Sequence, residues 1–89
     1  MILKKATITC HYRRIELERV SLDKALRTAY NFAVAHKVNA GIVAHDTDGN
    51  CVVKLVTPQG VVKDYANGVV EKHTKLTEIE KKHGYKRTT

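Results

Sequence analysis

The chain has 89 residues, 43% hydrophobic and 28% charged, which is the composition of one small globular domain over residues 1–89. One Pro and five Gly argue against a low-complexity chain, and 16 Lys and Arg against 9 Asp and Glu give a formal net charge of +7. The apolar runs are far shorter than the roughly 20 residues of a membrane helix. Met1-Ile2-Leu3 is also too short for a signal peptide. Two Cys without motif spacing suit a reducing, cytoplasmic setting better than a disulfide scaffold. The expected class is a small basic soluble α+β protein, with no membrane contact.

Residues from Ala6 to Val20 read as extended. Ile8, Cys10 and Tyr12 alternate with Thr7, Thr9 and His11, a period of two. The apolar parity then changes to Ile15 and Leu17, with Arg13-Arg14 at the switch. Two Arg suit a tight hairpin badly, whereas a β-bulge or wider turn accepts ordinary residues. One bent strand and two strands both remain open here.

Ser21 is a good helix N-cap, and Asp23 falls in the first turn, where the helix dipole favours an acid. Leu22, Ala25, Leu26, Ala29, Phe32, Ala33 and His36 recur at helical spacing, predicting a helix over about Leu22 to Lys37. Asn39-Ala40-Gly41 is the expected stop.

Ile42 to His45 reads as a short strand, Asp46-Thr47-Asp48-Gly49-Asn50 as a turn, and Cys51 to Val56 as the returning strand. Thr57-Pro58-Gln59-Gly60 fits a β-turn with Pro second and Gly fourth, and Val61 to Tyr65 follows as a strand. Ala66-Asn67-Gly68 with Val69-Val70 is either a hairpin or a helix approach. The shared helical face of Val69, His73, Leu76, Ile79 and His83 favours a helix from about Val69 or Thr74 to His83. Gly84 is its C-cap, and Lys86-Arg87-Thr88-Thr89 is expected to fray. The predicted fold class is α+β in β-α-β-β-β-α order. Its sheet is mostly antiparallel, of three or four strands, with the helices on one face. So small a core leaves a homodimer open.

The basic charge is uneven. Residues 1–44 hold eight Lys and Arg against three acids, and residues 45–89 hold eight against six. Lys4, Lys5, Arg13, Arg14, Arg19, Lys24 and Arg27 are the candidate contacts to phosphate or an acidic partner, since guanidinium groups grip such oxyanions at two points. The bland reading of the same residues is a solubilising charge excess. No run of Lys and Arg exceeds two residues, and Tyr12, Tyr30, Phe32, Tyr65 and Tyr85 form no ribonucleoprotein aromatic motif.

Asp46-Thr47-Asp48-Gly49-Asn50 resembles the start of an EF-hand loop. It fails at the required Gly, where Cys51 stands, and at the twelfth position, where Thr57 replaces Glu. A polar hairpin turn accounts for it. Cys10, Cys51, His11, His36 and His45 lack the paired spacing of a metal site, and Cys10 reads as a small core residue. No metal or other cofactor is expected. His45-Asp46, with Lys54 or an Arg nearby, is the one grouping suited to acid–base work, as in a ribonuclease-like toxin. A tolerated surface His explains it more simply, so the chain reads as a non-enzyme.

Two binding functions compete. One is a small protein contacting nucleic acid or a nucleoprotein through its basic surface. The other is an inhibitor or adaptor that binds and blocks a bacterial protein complex, with Tyr65 or Tyr85 as anchors. The strand–helix–hairpin order is similar, in architecture only, to that of small phage-encoded inhibitors, some anti-CRISPR proteins among them.

Overall fold

The alternation of Thr7, Ile8, Thr9 and Cys10 places them in β1 (Ile2–Cys10) of the computed structural model, which describes residues 1–66 and 68–84. Asn67 of the Ala66-Asn67-Gly68 turn, Tyr85 and the tail to Thr89 lie outside the described residues.

The parity switch is a tight hairpin two residues earlier than the Arg pair, not a bulge or wide turn. β2 (Arg13–Ser21) runs antiparallel to β1, with Cys10 opposite Arg13 and only His11 and Tyr12 between them. His11 takes the left-handed conformation, φ 56°, that a two-residue turn demands. Such a turn returns the chain with Arg13 on the same face as Cys10. Ile8 therefore opposes Ile15, and Ala6 opposes Leu17. An even-numbered apolar set thus continues as an odd-numbered one.

A second irregularity lies at the other end of this hairpin. Leu3 and Ala6 are both fully buried, so Lys4 and Lys5 point outward in succession, and the pairing of β1 with β3 shifts by one residue there. On β2, Leu17 and Val20 both pack on the core, and Arg19 between them is left-handed at φ 51°.

Helix α1 (Leu22–His36) begins as its sequence predicts: the Ser21 hydroxyl oxygen accepts the Lys24 N–H at 3.1 Å. It ends earlier than Asn39-Ala40-Gly41. Lys37 turns left-handed at φ 57°, the Val38 N–H returns to the Ala33 carbonyl, and Ala40 and Gly41 already belong to β3 (Ala40–Asp46). Burial of Ala40 in the core draws that segment into the sheet.

β4 (Cys51–Val56) and β5 (Val61–Ala66) follow as antiparallel partners. The next segment corrects the expected helix start. Val69–Lys75 is a sixth strand, β6, paired with β5 from Val61↔Lys75 to Ala66↔Val69, and only Leu76–His83 forms α2. A strand here gains a full ladder along the open edge of β5, while an isolated short helix is marginal. Gly84, at φ 65°, closes α2 as read from the sequence.

Among the described residues, six strands form one antiparallel sheet in the order β2-β1-β3-β4-β5-β6, larger than the three or four strands expected, and the element order becomes ββαββββα. The α+β class holds, as does the placement of helices on one face. That face carries the core: Leu3, Ala6, Ile8, Cys10, Ala40, Ile42, Ala44, Val56 and Val62 from the strands, and Ala25, Leu26, Ala29, Ala33 and Leu76 from the helices. Small side chains on both surfaces let α1 sit close over β1 and β3. Both sheet edges carry charge, Arg13, Arg14, Glu16 and Glu18 on β2 and Glu71, Lys72 and Lys75 on β6, which discourages pairing with a further strand.

Candidate nucleic-acid interface

The two irregularities of the β1–β2 hairpin bring basic side chains together. Lys4 and Lys5 leave β1 on its outer face, and Arg19 leaves β2 beside them. His45 arrives from β3, where it pairs with Lys5. These four residues line one open cleft of about 570 Å³, with Glu18, Asp46, Thr47 and Gly49 completing its wall. Lys4, Arg19 and Thr47 continue into a neighbouring hollow with Ile2.

Two acidic side chains, Glu18 and Asp46, line this cleft beside the bases. The Asp46 carboxylate serves the β3–β4 turn, accepting the backbone N–H groups of Asp48 and Asn50 at 2.9 Å each and the Asn50 side-chain amide at 3.2 Å. The hydrogen bonds from Asn50, joined by that from Asp48, hold its carboxyl below the usual Asp range against the opposing pull of burial. Glu16 lies 3.7 Å from Lys5, an exposed pair of little energetic weight. The Asp-rich segment is thus a turn built around Asp46, with Gly49 at φ 85°. Among the described residues, no group of three or more His, Cys, Asp or Glu is placed to hold a metal ion.

The remaining candidates are dispersed. Arg13 faces the helix side at the far end of the hairpin, in a hollow with His11, Tyr12 and His36. Arg14 is on the opposite sheet face, paired with Thr9. Lys24 is exposed on α1. Arg27 is largely buried: its guanidinium makes a two-point ion pair with Glu80 of α2 and lies 5.0 Å from the Tyr30 ring centre. Of the seven residues singled out in sequence, Lys4, Lys5 and Arg19 converge. Lys54, expected near His45, is on the other side of the sheet, ion-paired with Asp64. The neighbours of His45 along the sheet are Lys5 and Cys51, and Cys51 is a free, exposed thiol.

Among the described residues nothing covers the sheet face turned away from the helices, and three cross-strand rows organise it. The central row runs Glu16, Thr7, Val43, Val53, Tyr65, Val70. Val43 is 48% exposed and Val53 39%. One flanking row runs Glu18, Lys5, His45, Cys51; the other runs Arg14, Thr9, Gly41, Leu55, Lys63, His73. Lys63 and His73 are members that sequence reading missed. Each sits in an alternating strand, but only the register of β5 with β6 puts them beside each other and beside the apolar row.

This arrangement defines a class, a small α+β domain with one helix-covered and one open, basic-rimmed sheet face. Comparison with protein-family models, with curated proteins and with solved structures found no match. Among the described residues no helix is long and apolar enough to cross a membrane.

Proposed function

We propose that this chain is a non-enzymatic binding module that contacts nucleic acid, alone or in a nucleoprotein, through the basic corner at Lys4, Lys5 and Arg19. The observation that carries the reading is the convergence of those three side chains with His45 on one open cleft. Nothing in the linear order of the residues demands it. Two lysines and a guanidinium at one corner offer phosphate both point charges and a two-pronged donor. Lys4, Lys5 and Arg19 outnumber the two acids that line the cleft, Glu18 and Asp46, and the chain as a whole carries +7, so the corner favours polyanions through a small local excess and the general basic charge.

Fluorescence anisotropy of labelled DNA and RNA, run from low to near-physiological salt, tests this. Binding falls steeply with salt, and the Lys4→Ala/Arg19→Ala protein shows a salt slope shallower by about 2, one unit for each lost phosphate contact. An Arg13→Ala/Arg14→Ala protein that loses more affinity than Lys4→Ala/Arg19→Ala relocates the contact and defeats the reading.

A second reading, a phage-type inhibitor that blocks a bacterial protein complex, is favoured by one feature. Tyr12 stands fully exposed at the tip of the β1–β2 hairpin, beside Arg13 and His36. An exposed Tyr flanked by an Arg is the composition of an interface anchor. In that reading Tyr12→Ala abolishes partner binding, and nucleic acid does not bind even at low salt.

A further inference from the structure

The open sheet face extends directly from the basic corner, because Lys5 and His45 belong to both. We infer that this face is a platform for single-stranded nucleic acid, with Tyr65 stacking on a base and the row Val43, Val53, Tyr65, Val70 supporting its neighbours. The inference rests on the nucleic-acid reading and names the form of ligand and the surface that takes it.

The register carries the argument. Val43 opposes Val53, Val53 opposes Tyr65, and Tyr65 opposes Val70, so four side chains form a continuous apolar line across four strands. Neighbouring strands lie about 4.8 Å apart, so the line is about 15 Å long, room for two or three bases. The flanking rows lie about 7 Å to either side, at two residues' rise along β1 to β5; on β6 the register shift beside Tyr65 sets Val70 and His73 three positions apart. One of them offers Lys5 and His45, with Glu18 at its β2 end; the other offers Arg14, Lys63 and His73. Gly41, between Thr9 and Leu55 in the second row, leaves a gap where no side chain rises. An apolar line with Lys5 on one side and Arg14 and Lys63 on the other matches a strand whose bases lie on the protein and whose phosphates run beside them.

The alternatives fit less well. A second copy of the chain would oppose cations to cations, given a net charge of +7. A duplex keeps its base faces stacked internally, so Val53 and Tyr65 would meet no base. Its major groove admits a helix or a two-stranded ribbon, not a six-stranded sheet.

The test is anisotropy of labelled single-stranded DNA and RNA of about ten nucleotides, and of the matching duplexes, at one low salt concentration. The wild-type chain is measured beside Tyr65→Ala, Tyr65→Phe and Lys4→Ala/Arg19→Ala. The expected result is tighter binding of single strands than of duplex. Tyr65→Ala loses about 5- to 100-fold in affinity, and Tyr65→Phe, which keeps the stacking ring, stays within about threefold. Amide shifts in the NMR spectrum of the wild-type protein on adding the single strand map to β3–β6, a readout that stands even where Tyr65→Ala folds poorly. Duplex bound as tightly as single strand, with Tyr65→Ala unchanged and Lys4→Ala/Arg19→Ala weakened, overturns the platform and leaves the basic corner standing. No binding of any nucleic acid at low salt overturns both.

Discussion

Arg27 and Glu80, 53 positions apart, are joined at two points: the Arg27 Nε–H donates to Glu80 Oε2 at 2.9 Å, and the terminal amino group reaches Oε1. The pair ties α1 to α2 and is largely out of solvent, its side chains 15% and 5% exposed. Helix α2 has only eight residues and could not persist alone, so its place depends on Leu76, on Ile79 and on this link. Removing one partner strips this two-point contact from a charge that is largely out of solvent. Glu80→Ala is expected to cost about 3–5 kcal/mol in urea unfolding, whereas the apolar pair Arg27→Met/Glu80→Leu comes out near neutral or more stable. A double variant as damaged as Glu80→Ala would show that the ion pair itself is net stabilising, beyond the cost of stranding one buried charge.

Acid should unlock the β3–β4 turn. The Asp46 carboxyl is held below its unfolded-state range of about 3.9 by the hydrogen bonds from Asn50 and Asp48. A depressed carboxyl contributes stability that is present in full above the unfolded value and disappears as pH falls through the folded one. Melting temperature of the wild type should therefore drop from about pH 4 downward. Asp46→Asn lacks the titrating group and is less stable than wild type at pH 7, and the difference between the two narrows in acid. A constant difference from pH 7 to pH 2 would place the stabilisation elsewhere.

The tip of the first hairpin is strained where it turns. His11 is a non-glycine residue at φ 56°, a conformation that costs an L-residue about 1–2 kcal/mol. His11→Gly relieves this while adding freedom to the unfolded chain, so the expected net gain is up to about 1 kcal/mol. Tyr12, fully exposed beside it, contributes nothing to the core, and Tyr12→Ala should alter stability by no more than about 0.5 kcal/mol. Thermal denaturation of both variants checks the pair of statements.

The helix–sheet contact leaves little spare space. Ala25, Ala29 and Ala33 on α1 meet a sheet whose central strands present Ala6, Ala40 and Ala44, all fully buried. Ala29→Leu inserts three carbons where small side chains let the layers approach, and it should cost about 1–3 kcal/mol. Ile42→Ala, which leaves a hole in the same layer, should cost about 2–5 kcal/mol. If Ala29→Leu instead raises the melting temperature, the interface holds a void and the close approach of the layers is wrong.

What the sequence determined by itself was local. Ser21 and Asp23 begin α1 because a hydroxyl cap and a helix dipole act within one turn. Gly84 ends α2, and Asp46 with Gly49 makes the turn, for equally short-range reasons. The alternation of Ile8 and Cys10, and of Ile15 and Leu17, marks strands wherever they pair. Tertiary structure decided the rest. Val69–Lys75 carries both helical and extended signals, and the unpaired edge of β5 resolves them in favour of a strand. Arg27 and Lys24 both sit on the polar side of α1 in sequence, yet Glu80 buries one and leaves the other in solvent. Lys4, Lys5, Arg19 and His45 converge only because β1 lies between β2 and β3, and because two matched irregularities turn consecutive side chains outward. Strand neighbours and register are non-local, whereas caps and turns are set by residues a few positions apart; the candidate site is assembled almost wholly from the first kind of information.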